Sequence, residues 1–226
     1  MKKDTIVCIG TIGSPTFKKC KKIIDKLTKN HSRVLKVVVI KNKTPQSAWL
    51  NEMRKVSAGM KWCIQIDEDM YLYPNAINEL IKFAEIKERE GVKILNASSL
   101  LYDLFLKSRV GSLKIWSVAP LQELEFKDVL GGDRNFAKRA KKLGYRNVET
   151  KLVLGDHDSA PTAGVAFKKY FEHTQKIRKY SSEERARKFS RFLKQKWLKN
   201  KTFINKKAYD GSALALKSEL QDKSKR

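Results

Sequence analysis

Short apolar runs alternate with amphipathic stretches through the first third of the chain. Thr5 to Gly10 is an apolar run of strand length. Ser14-Pro15 then supplies a capping residue and a proline suited to the first helical position, which predicts a basic helix through about Lys29. Val34 to Ile40 is a β-branched run fit for a buried parallel strand. Thr44-Pro45 repeats the cap-and-proline signal, the helix carries Ala48, Leu50, Met53 and Val56, and Gly59 is placed to end it. Trp62 to Asp67 is the third apolar run. Strands alternating with helices in this way predict a parallel α/β sheet, whose ligands sit beyond the carboxyl ends of the strands.

The middle of the chain predicts a helix from Asn75 to Glu90 closed by Gly91, then strands at Val92 to Ala97 and Leu113 to Val118. A Gly131-Gly132-Asp133 turn opens a short helix ending near Gly144, and a strand at Lys151 to Leu154 leads into Gly155-Asp156-His157. Ser181-Ser182-Glu183-Glu184 fits a capping box, and Phe189, Phe192, Leu193 and Trp197 fall on one face of the helix it opens. The expected organisation is a catalytic α/β domain over 1–165, a basic helical extension over 166–210, and a polar tail over 211–226 with the composition of a disordered segment.

Composition adds a partner to this picture. The 226 residues are 41% hydrophobic, enough for one domain with an appendage, while 49 Lys and Arg against 24 Asp and Glu give a net charge of +25. From Lys168 to Lys207 there are 15 Lys or Arg against 3 Glu. Such an excess favours a polyanion, either nucleic acid or an anionic membrane face, although lysine-rich usage also makes ordinary enzymes basic. Cys8, Cys20 and Cys63 show no C-x-x-C spacing and read as reduced thiols. The opening Lys2-Lys3-Asp4 and the short run after it do not form a signal peptide, and no stretch reaches the roughly 18 apolar residues of a transmembrane segment. The expectation is a cytoplasmic protein, with attachment to the inner membrane face, or a host cytoplasm for a viral chain, left open.

The chemistry concentrates in Asp67-Glu68-Asp69. Asp67 and Asp69 stand two residues apart at the end of an apolar strand, so continued strand geometry would put both carboxylates on one face and Glu68 on the other. Two such carboxylates make a hard-cation site, able to hold Mn²⁺ or Mg²⁺ against the two phosphates of a nucleotide. An acidic strand end is also compatible with a solvated rim or a helix cap.

The run Trp62-Cys63-Ile64-Gln65-Ile66-Asp67-Glu68-Asp69-Met70-Tyr71-Leu72-Tyr73-Pro74-Asn75-Ala76 resembles the DXD region of GT-A glycosyltransferases of the family 2-like group. Ser47-Ala48-Trp49-Leu50-Asn51 resembles that group's helix beneath the donor, and the likeness covers Thr5 to Tyr180. It implies a Rossmann-like, mostly parallel sheet flanked by helices, and transfer of a hexose or pentose from a nucleotide sugar, a UDP-sugar by preference. It further implies donor contacts at Thr11, Ile12, Gly13, Asn51, Asp67 and Glu68, and metal ligands at Asp67, Asp69 and His157, the last in a Gly-x-His element. Imidazole leans such a site toward manganese. Asp133 matches the acid that deprotonates the acceptor in inverting members, and would equally serve as a helix cap.

Within the basic segment, Arg185, Arg187, Lys188 and Arg191 are the candidate polyanion contacts. Two acceptors fit: DNA carrying a hydroxylated base, as in phage-type DNA modification, which the spread of charge favours, or a lipopolysaccharide or lipid-linked glycan at the inner leaflet. The rival classes are a nucleotidyltransferase, whose phosphate loop Gly10, Gly13 and Lys18-Lys19 imitate loosely, and a non-catalytic basic binding module.

Overall fold

Ile6 and Cys8 point to one face of the first strand and Val7 and Ile9 to the other, and all four are fully buried. A strand buried on both faces needs a helical layer on each side, and the computed structural model, which describes residues 3–220, has that arrangement. Its elements run β1 (Thr5–Thr11), α1 (Phe17–Thr28), β2 (Val34–Lys41), α2 (Gln46–Val56), β3 (Trp62–Asp67), β4 (Met70–Leu72), α3 (Ala76–Arg89), β5 (Ile94–Asp103), β6 (Ser108–Ser117), α4 (Val118–Glu123), α5 (Gly132–Lys142) and β7 (Arg146–His157). Three helices close the chain: α6 (Ala163–Tyr180), α7 (Glu183–Lys199) and α8 (Phe203–Lys217).

The seven strands lie in the order β2-β1-β3-β6-β5-β7-β4. The β1–β2, β1–β3 and β5–β7 ladders are parallel, while β6 and β4 are inserted antiparallel. On one side Val7, Ile9, Ile64 and Ile66 pack with Cys20 and Ile24 of α1 and Ile77, Leu80 and Ile81 of α3. On the other, Ile6, Cys8 and Cys63 pack with Trp49, Leu50 and Met53 of α2 and with Trp116, Phe126 and Phe136. Each fully buried aliphatic side chain contributes roughly 1.5–3 kcal/mol. The three cysteines are free thiols in this core.

Several boundaries differ from those the sequence predicts. Helix α1 starts at Phe17 with Thr16 as its cap, so Ser14-Pro15 belongs to the preceding loop. Pro45 is the residue before α2 and not its first member. The strands expected at 92–97 and 113–118 are the inner halves of a longer hairpin, and Val118 opens α4. The hairpin turn forms because Asp103 Oδ1 accepts the backbone N–H groups of Phe105 and Leu106 at 2.9 and 2.6 Å.

The chain divides into two compact units, Met1–Asp128 with Gly132–Asp158, and Val129–Gly131 with Ser159–Arg226. The tail expected over 211–226 is helical through Lys217, and its last six residues lie outside the described ones. The reason is a stripe of small buried residues in α8, Ala208, Gly211, Ser212 and Ala215. A Cβ on Gly211 would meet the Phe167 carbonyl at 2.2 Å, so α8 lies against α6 at backbone contact. Thr162, Ser182 and Thr202 cap the three helices through their side chains; α7 starts where the 181–184 signal puts it, but with Ser182 as cap the third position is Arg185, so no capping box with Glu184 forms.

Candidate active site

Strand β3 ends at Asp67, and the chain turns through Glu68 and Asp69 before β4 pairs antiparallel with β7, setting Met70 opposite His157. Strand geometry therefore does not persist across the triplet, and the expected common face for Asp67 and Asp69 is corrected. Asp67, half-exposed, keeps the parity of Gln65. Asp69 is carried to the β7 edge, where its carbonyl accepts Asp158 N–H at 2.8 Å. The close approach of β4 to β7 depends on Gly155, because a Cβ there would lie 2.7 Å from the Tyr71 carbonyl and 3.1 Å from Leu72 Cα.

His157 stands between two carboxylates. Its Nδ1 is 3.0 Å from Asp103 Oδ2 and its Nε2 is 3.2 Å from Asp69 Oδ2. Asp103 is 1% exposed and its other oxygen is occupied by the hairpin-turn N–H groups. An ionised carboxylate only accepts, so Nδ1 carries the hydrogen and the Nε2 side faces Asp69. Two acceptors at that separation need a positive charge beside them, which a proton on Nε2 or a divalent metal supplies. A carboxylate and an imidazole nitrogen this close are both groups that a divalent cation takes as ligands, so the residues present fit such an ion. A buried carboxylate on the second ring nitrogen is the usual support of a metal-bound histidine.

Among the described residues no group of three His, Cys, Asp or Glu side chains is arranged to enclose an ion. Asp67 thus does not join Asp69 and His157 in one such group. The nearby Cys20 thiol is pushed up to about 12, first by burial and then by the charges of Asp69, Asp67 and Glu68, and so stays protonated. Burial and the neighbouring Asp158 carboxylate, which accepts its hydroxyl at 3.2 Å, raise Tyr71. The Asp156 carboxylate does the same to Tyr73 at 2.7 Å.

The residues expected to grip the donor are engaged with one another. Glu68 accepts Ser14 N–H at 2.9 Å, Ile12 N–H at 3.3 Å and the Thr11 hydroxyl, and Thr11 Oγ1 in turn accepts Gly13 N–H at 3.0 Å. Gly13 sits at φ +87°, where a glycine is favoured. Glu68 therefore shapes the β1–α1 loop, and the N–H groups of Ile12 and Ser14 are spent on its carboxylate. Asn51 exchanges both amide hydrogen bonds with the Phe126 backbone at 2.9 and 2.8 Å, which fastens the segment after α4 to α2. Glu68 and Asn51 thus use their polar groups within the protein, where they hold the segments on which the expected donor contacts lie.

Asp133 lies in the first turn of α5, 39% exposed at its side chain, with Lys114 Nζ at 3.2 Å. Lys114 on β6 pairs with Gln65, two residues before Asp67, so the topology brings Asp133 to the strand that delivers the triplet. Asp103 was missed by sequence reasoning. Its one signal is an acid closing an apolar run, Ser99-Leu100-Leu101-Tyr102-Asp103, as Asp67 closes another.

Of the four candidate polyanion contacts, Arg187 and Arg191 line a groove of about 570 Å³ between α7 and α8. Arg185 and Lys188 do not line it; Arg185 donates to Ser181 and Lys188 pairs with Glu184. Leu193 is buried, Trp197 stacks on Tyr209, and Phe189 packs near Tyr170 and His173, so these residues hold the three helices together.

No protein-family model matches the chain, and no curated protein does. Solved structures do. The mannosyltransferase PcManGT from Pyrobaculum calidifontis, in complex with GDP-Man and Mn²⁺, superposes with a TM-score of 0.60 at 13% identity, over 94% of this chain and 73% of that one. Glucosyl-3-phosphoglycerate synthase from Mycobacterium tuberculosis, in complex with Mn²⁺, UDP-glucose and glycerol 3-phosphate, gives 0.53 at 11% identity, over 77% and 80% of the two chains. At these identities the likeness is one of architecture: the chain has the GT-A fold of these glycosyltransferases.

Proposed function

We propose that this protein is a metal-dependent glycosyltransferase that moves a sugar from a nucleotide diphosphate onto an acceptor hydroxyl. The observation that carries the reading is the Asp103–His157–Asp69 chain, with distances of 3.0 and 3.2 Å and a fully buried anchor. Asp69 and His157 would hold the ion, Asp103 fixes the imidazole, and Mn²⁺ suits the mixed carboxylate–imidazole donor set. When bound, a divalent cation offsets the charge that develops on the departing diphosphate. The bond from the anomeric carbon to the diphosphate breaks as the bond to the acceptor oxygen forms. Asp133 would take the hydroxyl proton as general base, with the Lys114 ammonium holding its carboxylate in place.

The donors in the two solved neighbours, GDP-Man and UDP-Glc, support a nucleotide sugar without deciding its base. The acceptor on this reading is carried by a polyanion, because the second unit concentrates cationic side chains on exposed helices. Isothermal titration of UDP- and GDP-sugars with and without Mn²⁺ tests the donor site. Binding that appears only with the metal is the expected result. Donor binding indifferent to the metal removes the reading, and no donor binding at all leaves a basic binding module.

A further inference from the structure

The second unit is short of core and rich in exposed apolar side chains. Among the described residues it holds Phe203 at 65% exposure, Leu198 at 52%, Leu214 at 48% and Phe192 at 43%, besides Tyr180 and Leu220. Those six are more than half of the large exposed hydrophobics, on less than a third of the chain, so they are not the ordinary scatter of a soluble surface. Cations are interleaved with them. Arg187, Arg191, Lys194 and Leu198 recur at spacings of four, three and four along α7 and so form one stripe, whose three cations wall the groove against α8. Tyr209, Ala213 and Leu216 form its apolar floor and Lys217 closes its α8 side, while Glu184 is the acid on its lining. Lys207 Nζ lies over the Phe203 ring at 5.5 Å and Lys206 Nζ over the Trp197 ring at 5.9 Å, so cations and aromatic faces adjoin on this surface. Asp210 pairs with both lysines and leaves the balance positive.

We infer that the α7–α8 face docks on an anionic lipid bilayer, lying in the interface without crossing it. A duplex would reward the cations and leave the phenylalanines and leucines in water, because its bases are stacked inside. An anionic bilayer rewards both, the cations at the phosphate level and the apolar side chains just beneath. No described helix is long and apolar enough to span a membrane, and attachment of this kind needs none. On this inference the partner is the membrane face and not the nucleic acid that the spread of charge favours. The inference rests on the polyanion reading of the acceptor, but not on donor binding or turnover.

Flotation of the full chain with phosphatidylcholine vesicles, with and without phosphatidylglycerol, tests it free of donor and metal, so its failure leaves the transferase reading standing. The protein should float only with the anionic vesicles. Replacing Arg187, Arg191 and Lys194 by Ser should lower partition at least tenfold, since each cation near an anionic surface multiplies it several-fold. Arg185→Ser with Lys168→Ser, which spare the groove, should stay within about threefold. Leu198→Ser with Phe203→Ser should abolish the part of the binding that survives raised salt, while thermal unfolding confirms that each variant folds. Equal losses from the two sets of cations would reduce the effect to bulk charge and overturn the inference. So would tighter binding to duplex DNA than to vesicles. A dimer dissolved by the Leu198 and Phe203 changes, without flotation, would give the face to a second copy of the chain.

Discussion

The two units carry nearly equal net charge on very different frames. The first holds 30 Lys or Arg against 18 Asp or Glu over 155 residues, net +12, and the second 19 against 6 over 71, net +13. In the first, the acids that matter are fixed by backbone: Glu68 by the β1–α1 loop, Asp103 by its hairpin turn, Asp69 by the β4–β7 ladder. In the second, most of the charge stands on exposed helical faces, where pairs one helical turn apart recur, such as Arg187–Glu183, Lys188–Glu184 and Lys206–Asp210. Chemistry needs atoms held to a few tenths of an ångström, whereas association with an extended surface needs only area and sign. Single changes should therefore be felt sharply in the first unit and collectively in the second.

The largest effect expected is that of Asp69→Asn, which keeps the side-chain shape and removes the charge proposed to hold the cation. Metal-dependent turnover should fall about a thousandfold, several kcal/mol of transition-state stabilisation, with the melting temperature nearly unchanged. Steady-state kinetics with Mn²⁺ beside a thermal scan measures both, and normal turnover would take the metal site away from this turn. Gly155→Ala comes next. A methyl group 2.7 Å from the Tyr71 carbonyl must push β4 off β7, and denaturant unfolding should show a loss of about 3 kcal/mol. A neutral result would mean that the ladder carrying His157 yields as freely as a surface helix.

Asp103→Asn is a finer instrument. The amide oxygen can keep the turn, while the amide N–H₂ faces Nδ1 and drives the ring hydrogen to Nε2, where it blocks the ligand position. Mn²⁺ affinity, read by the paramagnetic resonance of the free ion, should weaken about 10- to 100-fold with little change in unfolding. If stability falls and affinity does not, Asp103 serves the hairpin alone.

The smallest effect concerns acid. Burial works to raise the Asp4 carboxyl, but hydrogen bonds from Arg33 and Thr5 and the Arg33 and Lys61 charges outweigh it, so Asp4 titrates below its ordinary 3.8. A depressed folded value contributes stability that is present above the unfolded value and lost as pH falls through the folded one. Asp4→Asn should therefore flatten the acid limb of the stability curve below about pH 4 and leave the neutral plateau lower by roughly 1 kcal/mol. An unchanged acid limb would remove the Arg33 bridge from the list of fixed charges in the first unit.

Much of the first unit was legible because its signals are local. The β-branched run at Val34–Ile40, the apolar run at Trp62–Asp67 and the amphipathic stretch before Gly91 each announce an element within a few residues. The hairpin between β5 and β6 was not, because its turn depends on one aspartate oxygen and its register carries a shift at Ser99/Leu100. Asp69 and His157 were legible as candidates, since acids and a histidine at strand ends are visible in one dimension. Asp103 was not, because nothing about an isolated acid says that a histidine 54 residues later will lie against it.

The sequence by itself determined the α/β class, the presence of acids at a strand end and the basic character of the last third, since each follows from composition or short-range periodicity. Only the tertiary structure decided how the acids divide. Glu68 goes to a loop and Asp69 to a histidine, because the chain turns between β3 and β4 and sends neighbouring carboxylates to different strands. It also decided that 211–217 is helix, since the small residues of α8 have value only once α6 lies within backbone contact of Gly211. And it decided which leucines and phenylalanines of α7 and α8 stay outside, because a helical face is apolar or basic in sequence but buried or exposed only against what packs on it.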